Sequence, residues 1–234
     1  MPNIIDNLSL IYQKIEHLAK KAGRHQGDVT LLAVSKGQPS SAIRQAYALG
    51  QRHFGENYLQ EALDKQQQLA DLTDICWHFI GPIQSNKARK VAEHFDWVHC
   101  IDRASIAKRL SACRPEKNSS LNVCLQVNID SEESKSGVPV NQAEALAQAI
   151  IELPNLKLRG LMAIPQSRPT ASEQQKPLAA LAKLLSNLQS SSPQLSTLDT
   201  LSMGMSADLE AAIIEGATII RIGTAIFGPR QTPK

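Results

Sequence analysis

Strand-like and helix-like segments alternate along almost the whole sequence. Short apolar runs rich in β-branched residues predict strands, and stretches with apolar residues at helical spacing predict helices between them. Strict alternation of this kind predicts a parallel sheet with right-handed crossover connections. The predicted strands cover residues 29–35, 52–55, 77–80, 97–101, 123–129, 158–164, 197–203 and 219–222. Eight strands in a chain of 234 residues predict an α/β fold, a single (β/α)8 TIM barrel.

An extra helix precedes the first predicted strand and spans residues 4–21. Its apolar face, at helical spacing, is formed by Ile4, Leu8, Ile11, Ile15 and Leu18. Only about a dozen residues follow the last strand, too few for a full eighth crossover helix. Because the first and last strands of a closed barrel are neighbours, we expect the leading helix to cover that gap. No shift in composition marks a boundary, so residues 1–234 are interpreted as one domain.

The composition excludes several classes of protein. A formal net charge of +3 is too small to indicate a nucleic-acid or membrane-surface partner. The four cysteines show no C-x-x-C spacing, and no secretory signal is evident, so they are interpreted as reduced cytosolic thiols. No apolar run approaches the ~18 residues that a membrane span needs. We therefore expect a cytoplasmic protein, and we expect it to be a monomer.

The first predicted strand ends in a lysine, Lys36, and Gly37 and Pro39 interrupt the strand directly after it. The carboxyl end of a central strand is where barrels carry their chemistry. A partly desolvated amine has a lowered pKa and becomes a nucleophile toward carbonyl groups. The alternative is a lysine that ends a strand and points into water.

Small and hydroxyl-bearing residues follow the last two predicted strands. Gly204 and Gly223 allow backbone N–H groups to approach an anion, and Ser202, Ser206 and Thr224 can donate hydroxyl protons. The loops after the last two strands are the usual phosphate site of this fold. The alternative for each residue is a role in turns and helix caps alone. Taken together, opposite a lysine on the same barrel face, they favour a phosphate site.

A nucleophilic lysine and a phosphate site at one barrel mouth suggest a phosphorylated aldehyde as ligand. Pyridoxal 5'-phosphate (PLP) fits, because its aldehyde can form a Schiff base with Lys36 while the loops hold its phosphate. Arg221, at the end of the last strand and beside the first, can face the ring nitrogen. The alternative for Arg221 is a salt-bridging arginine on the barrel rim.

Several segments along almost the whole chain match those of a known family. They are 33–36 (Ala-Val-Ser-Lys), 54–58 (Phe-Gly-Glu-Asn-Tyr), 77–87, Asn128 with 134–137 (Ser-Lys-Ser-Gly), 159–162, 201–206 and 221–228. Through these segments the sequence resembles the pyridoxal phosphate homeostasis proteins. The resemblance implies a barrel like that of alanine racemase, and a role in buffering or delivering PLP inside the cell. It also implies that PLP is held as a Schiff base on a lysine.

The resemblance further assigns roles to individual residues. It implies that Lys36 is the cofactor lysine and that Arg221 is the partner of the ring nitrogen. The implied phosphate ligands are Ser202, Gly223 and Thr224, and the residues implied to line the cofactor are Asn57 and Met203. Many members carry a second lysine two positions after the first, where this chain has Gln38. This chain therefore has no second amine at that position to receive or pass on the cofactor.

Two other functions stay open. A small PLP-dependent racemase needs a second acid/base group on the far face of its substrate. In alanine racemase that group is a tyrosine from another subunit, and this sequence leaves no room for the domain that builds such a dimer. Of Tyr12, Tyr47 and Tyr58, only the last is predicted near the mouth. We therefore expect a carrier without efficient catalysis, with PLP-dependent apo-enzymes as candidate partners. A Schiff-base aldolase without cofactor is the third alternative.

The remaining candidates are weaker. His94 and His99 match no zinc signature, so no metal site is predicted. His78 lies within the third strand and is interpreted as a structural histidine. The segments 130–137 and 165–177 are interpreted as flexible loops. Lys135, in the first of them, is a candidate for a secondary contact with the cofactor.

Overall fold

The computed structural model describes residues 3–132 and 135–230, and its strands form a closed parallel barrel. The strands are β1 (Thr30–Val34), β2 (His53–Glu56), β3 (Cys76–Phe79), β4 (Trp97–Ile101), β5 (Leu121–Asn128), β6 (Val138–Pro139), β7 (Leu156–Met162), β8 (Thr200–Ser202) and β9 (Ile219–Ile222). All of them except β6 belong to the barrel, which runs in the order β1-β2-β3-β4-β5-β7-β8-β9 and closes where β9 pairs with β1. This confirms the predicted (β/α)8 architecture.

Helices surround the barrel and cover its apolar outer surface. They are α1 (Ile4–Lys21), α2 (Ser40–Ala48), α3 (Leu59–Gln68), α4 (Ala88–His94), α5 (Ala104–Cys113), α6 (Ala143–Ile151), α7 (Ala171–Ser191), α8 (Leu209–Ile214) and α9 (Thr224–Phe227). Successive side chains of a strand point to opposite faces, so each strand packs one row of side chains against the helices. On β3, for example, Phe79 packs against Phe95 with ring centroids 5.1 Å apart. Among the described residues, no helix is long and apolar enough to cross a membrane.

The leading helix α1 fills the place of a full eighth crossover helix, as the sequence predicts. It packs against α2, α8 and the single-turn helix α9. The side-chain amide of Asn7 donates to the backbone oxygen of Ile226 at 3.0 Å, which ties α1 to α9. The buried face of α1 includes Leu8 and Ile15, each about 1% exposed. The short C-terminal helix and α1 together therefore close the outer layer beside β9 and β1.

Two local predictions need correction. The predicted loop 165–177 is shorter than expected, because α7 begins at Ala171 and contains Pro177. Thr170 and Glu173 form a capping box that starts the helix, and Pro177 is buried on its inner face. The strand β6 was not predicted; its two residues pair with the end of β5. Residues 133 and 134, part of the other predicted loop and of the 134–137 motif, lie outside the described residues.

Candidate functional site

Lys36 lies in a turn directly after β1, at the carboxyl end of the barrel, and is half-buried. The register brings its neighbours together: Ala33 of β1 is paired with Phe54 of β2 on one side and with Ile222 of β9 on the other. The residues that follow β2 and β9 therefore flank the turn of Lys36. These neighbouring strand ends carry Asn57, Gly223 and Thr224, three of the predicted site residues.

A buried polar cluster holds the backbone on both sides of Lys36. The hydroxyl of Ser35 donates to Glu56 Oε1 at 2.6 Å, and the backbone N–H of Gly37 donates to Glu61 Oε1 at 2.6 Å. Lys65 Nζ joins these groups, because it contacts the Ser35 backbone oxygen at 2.7 Å and both carboxylates at 2.6–2.7 Å. Hydrogen bonds thus hold the residues on both sides of Lys36, and they fix the position of the Lys36 backbone.

The ion pair within this cluster is deeply buried. The side chains of Lys65 and Glu56 are 6% and 0% exposed. Burial raises the pKa of Glu56, and this effect outweighs the opposing influence of Lys65 and Ser35. The second carboxylate oxygen, Oε2, has no hydrogen-bond partner among the described residues. The hydrogen bonds of the cluster thus stabilise the turn, while removal of the Glu56 carboxylate from water costs free energy of solvation.

Arg221 lies inside the barrel and not on its rim. It is 5% exposed. Its Nη1 donates to the backbone oxygen of Ser202 at 2.6 Å and to Ser202 Oγ at 2.9 Å, and its Nη2 donates to the backbone oxygen of Ala163 at 2.9 Å. Burial lowers the pKa of Arg221 to about 10, so the guanidinium stays charged at neutral pH. Within the described residues these bonds use three of its five N–H groups, which leaves donors for a ligand.

Ser202 is the last residue of β8 and Met203 follows it; both are completely buried. The Ser202 hydroxyl faces the barrel interior, where it contacts Arg221 and lies 2.7 Å from His99 Nδ1. By contrast, Ser206 lies in the turn before α8 and is exposed. Of the two serines that the sequence places in this loop, Ser206 therefore presents its hydroxyl to solvent, while that of Ser202 is engaged inside.

The two loop glycines are required by close packing of the protein itself. Gly204 has φ +94°, and a Cβ there would lie 2.4 Å from the Ala212 side chain on α8. A Cβ on Gly223 would lie 3.0 Å from the backbone oxygen of Val34 on β1. The tight contact of Gly223 with β1 places Thr224, which is exposed, at the same end of the barrel as Lys36.

Asn57 follows β2 and lines a cavity of about 270 Å³ at the carboxyl end of the barrel. The loop after β3 crosses close to it, since a Cβ on Gly81 would lie 2.2 Å from the Asn57 backbone oxygen. Lys135 lines the same cavity and forms an ion pair with Glu132 at 3.1 Å. The other lining residues come from the ends of β3, β5 and β7, across the barrel from β9 and β1.

A row of three histidines inside the barrel was not predicted from the sequence as a unit. His53 Nδ1 lies 2.9 Å from His78 Nε2, and His78 Nδ1 lies 2.9 Å from His99 Nε2. His99 in turn contacts Ser202, so the row ends at Arg221. His78 is thus a structural histidine inside the barrel, with both ring nitrogens hydrogen-bonded. His94, which was considered with His99 as a pair of metal ligands, is exposed on α4.

Comparison with known proteins assigns the family. A sequence model described as the alanine racemase N-terminal domain matches residues 7–231. The pyridoxal phosphate homeostasis protein of Pseudomonas aeruginosa is 56% identical over 231 residues, which cover 99% of this chain and 97% of the relative. This chain belongs to the pyridoxal phosphate homeostasis protein family. The Escherichia coli member of the family is 50% identical, and the alignment covers all of both chains.

Solved structures agree with this membership. The PipY protein of Synechococcus elongatus, solved with PLP bound, is 45% identical and superposes with a TM-score of 0.81, over 92% of this chain and 99% of PipY. Alanine racemase from Corynebacterium glutamicum has a TM-score of 0.68 at 17% identity, over 96% of this chain and 62% of the racemase. The homeostasis family therefore shares the barrel fold of the racemase.

Proposed function

We propose that this protein binds PLP at the carboxyl end of the barrel and serves its homeostasis. The observation that carries the proposal is the pairing of β1 with β9, which puts the lysine turn beside Arg221, Gly223 and Thr224. The donor set fits the cofactor, because it combines an amine, a guanidinium and exposed hydroxyls. When bound, PLP supplies an aldehyde that condenses reversibly with a primary amine, with loss of one water, and a phosphate that anchors it.

In this proposal Lys36 Nζ is the point of covalent attachment. The hydrogen bonds to residues 35 and 37 hold the backbone of Lys36 in place, which reduces the conformational entropy lost when the cofactor attaches. Arg221 donates from a buried guanidinium to the ring nitrogen. Because a guanidinium donates protons and accepts none, it keeps that nitrogen without a proton.

The phosphate is assigned to the loops after β8 and β9. Thr224 and Ser206 offer exposed hydroxyls, and Gly223 brings the backbone close to β1. Ser202 was predicted as a phosphate ligand; the contacts of its hydroxyl with Arg221 and His99 favour an indirect role. Asn57 and Met203 are proposed to line the cofactor, Asn57 from the cavity side.

We expect binding and release without efficient catalysis. A racemase needs an acid/base group on the far side of the substrate. Tyr12 and Tyr47 are engaged elsewhere, with Gln51 and Asp74. Tyr58, at the start of α3, is 42% exposed and is the tyrosine positioned near the mouth. A small racemase that uses Tyr58 is therefore the second candidate function.

A reversible covalent bond to one lysine is suited to storage and transfer, because a competing amine can release the cofactor by exchange. PLP-dependent apo-enzymes are the proposed recipients, and the protein is proposed to act as a monomer in the cytoplasm. Transfer to an apo-enzyme that is faster than release into buffer would support direct delivery.

The deciding experiment is reduction of the loaded protein with borohydride, followed by peptide mapping. Reduction makes the bond between the cofactor and its amine permanent, and we expect the label on the peptide that contains Lys36. Lys36→Ala should abolish it, whereas Lys135→Gln, at the same mouth, should leave it in place. Label on another lysine of the wild-type protein, or none with excess PLP, would contradict the proposal. Racemisation of common L-amino acids at ordinary enzymatic rates, lost in Tyr58→Phe, would instead establish the racemase.

A further inference from the structure

The row His53, His78 and His99 crosses the barrel from the amino end of β2 to the carboxyl end of β8. The last contact, between His99 on β4 and Ser202, joins strands separated by β5 and β7 and therefore spans the barrel interior. His78 and His99 are completely buried, and His53 is partly exposed at the amino end. The row thus links the amino-terminal opening of the barrel to Arg221.

Burial keeps these imidazoles neutral. It lowers the pKa of all three, that of His99 to about 3. The charge of Arg221 acts in the same direction on His99, and the two neighbouring imidazoles act in the same direction on His78. The charged and titratable groups around the row are Arg221 beside His99, and Asp96 and the Cys76 thiol beside His53 and His78. A neutral imidazole has one donor and one acceptor nitrogen. Every bond in the row must therefore run in the same direction.

Ser202 decides that direction. Its oxygen already accepts from Arg221 Nη1, and its single hydroxyl proton needs an acceptor. Among the described residues, His99 Nδ1 at 2.7 Å is the acceptor found within its reach. If His99 Nδ1 instead carried a proton, Ser202 would accept twice, and its own proton would be left unpaired in a buried site, which is costly.

We propose that His99 positions Arg221 through Ser202, and that His78 and His53 hold His99 in the tautomer this requires. The Ser202 hydroxyl donates to His99 Nδ1, His99 Nε2–H donates to His78 Nδ1, and His78 Nε2–H donates to His53 Nδ1. The Ser202 lone pairs are thereby aimed at Arg221 Nη1, and the guanidinium is held for the cofactor ring. The consequence for the cofactor rests on the proposed function, whereas the tautomer assignment does not.

A metal site is the competing interpretation of one end of the row. Donor atoms of His53, Cys76 and His78 lie within 4.8 Å of one another. However, the two imidazole nitrogens are 2.9 Å apart and aligned for a hydrogen bond. Two nitrogens bound to one tetrahedral zinc, each at about 2.05 Å, are separated by about 3.3 Å. The observed geometry is that of a shared proton, so the experiments below are done with a metal chelator present.

The first test reads the tautomers in the cofactor-free protein. Long-range 15N–1H correlation spectra of the imidazoles should show the proton on Nε2 and a bare Nδ1 in all three histidines. Ser202→Ala should shift the Nδ1 resonance of His99, while Ser186→Ala, at an exposed position of α7, should not. A proton on Nδ1 of His99 in the wild-type protein would overturn the proposal.

The second test follows the cofactor. In His99→Asn, the side-chain oxygen can take the place of Nδ1 and accept from Ser202, whereas His99→Leu cannot. We expect cofactor dissociation about tenfold faster in His99→Leu, the value of one hydrogen bond to a charged group, and near wild-type in His99→Asn. The exposed control His94→Leu should show no change. In an Arg221→Gln background, His99→Leu should add little, because both changes act through one contact.

The outcomes separate the two proposals. A wild-type protein that takes up no PLP would refute the proposed function and leave the tautomer spectra to decide the present inference. Normal PLP binding with equal dissociation in the wild type and a folded His99→Leu variant would refute the positioning role alone. Additive effects of His99→Leu and Arg221→Gln would do the same, since they would show that His99 acts elsewhere.

Discussion

The ammonium group of Lys65 lies 2.7 Å from the carboxylate of Glu56, and this buried pair is bonded to the turn that carries Lys36. The proposed cofactor lysine is thus held in place by the contacts of a second lysine, Lys65, with the residue before it and with Glu56 and Glu61. Glu56 lies at the end of the barrel strand β2, whereas Lys65 belongs to α3, outside the barrel wall. The site therefore depends on how β2 and α3 pack as well as on β1.

Removing the amine from this pair should be strongly destabilising. Lys65→Met leaves the buried Glu56 carboxylate without its counter-charge, which typically costs about 3–5 kcal/mol. We expect this loss in the free energy of unfolding, measured by urea denaturation. The double variant Lys65→Met with Glu56→Leu should recover most of it, because no uncompensated charge remains.

The exposed pair Lys21–Glu210 is the matched control for that measurement, since its side chains are 57% and 52% exposed. Lys21→Met should change the free energy of unfolding far less than Lys65→Met does, because an ion pair exposed to water stabilises a fold very little. If Lys21→Met and Lys65→Met lowered the free energy of unfolding equally, burial of the Lys65–Glu56 pair would have no effect on its contribution to stability.

Arg221→Gln should weaken cofactor retention and change the absorbance spectrum of the bound cofactor. A hydrogen bond from a charged donor is worth about 1.5–3 kcal/mol, so we expect the dissociation constant for PLP to rise about 10- to 100-fold. Circular dichroism should show an intact barrel, and Arg89→Gln, at an exposed position of α4, serves as control. An unchanged spectrum and affinity would place Arg221 away from the cofactor.

Asp199 should make stability depend on pH in acid. Burial raises the pKa of Asp199, but hydrogen bonds from Arg159 and Thr200 outweigh it, so the folded-state pKa lies below the usual value of about 3.9. A lowered carboxylate pKa stabilises the fold above the unfolded-state value, and this contribution is lost as the pH falls through the folded-state value.

The check is thermal unfolding of wild type and Asp199→Asn across a pH series. The wild type should have the higher melting temperature at about pH 6, and the difference should shrink as the pH falls below about 4. Asp64→Asn, which alters an exposed carboxylate on α3, should show a smaller difference at pH 6. A gap between wild type and Asp199→Asn that widens in acid would contradict the assignment.

The cysteines should differ sharply in reactivity. Burial raises the pKa of Cys76 and Cys124 to about 12 and raises that of Cys100 as well. At pH 8 a thiol with a pKa of 12 is thiolate in only about one molecule in 10⁴. Pulse alkylation with iodoacetamide and mass spectrometry should therefore label the half-buried Cys113 first. Cys76 is the informative case, because it is also half-buried; labelling as fast as that of Cys113 would refute the pKa shift.

The strands and most helices were predictable because their signals are local. Apolar periodicity and the order of the segments identified every barrel strand, and the leading helix was placed correctly beside the last strand. The errors arose where local signals mislead. Pro177 suggested a loop, yet the capping box at Thr170 and the apolar face of α7 outweigh one missing backbone hydrogen bond.

Lys36, Gly223, Thr224 and Arg221 could be brought together from sequence alone, because the carboxyl ends of neighbouring parallel strands meet at one face. The sequence by itself thus determined the barrel, the residues at its mouth and the family. Only the tertiary structure decided which side chains touch inside: Ser202 and His99 are 103 positions apart, and Lys65 and Ser35 are 30 apart. Such contacts depend on the closure of the barrel and on burial. Burial strengthens hydrogen bonds and keeps imidazoles neutral. The spacing of apolar residues along the chain predicts neither the partners brought together by closure nor the depth of their burial.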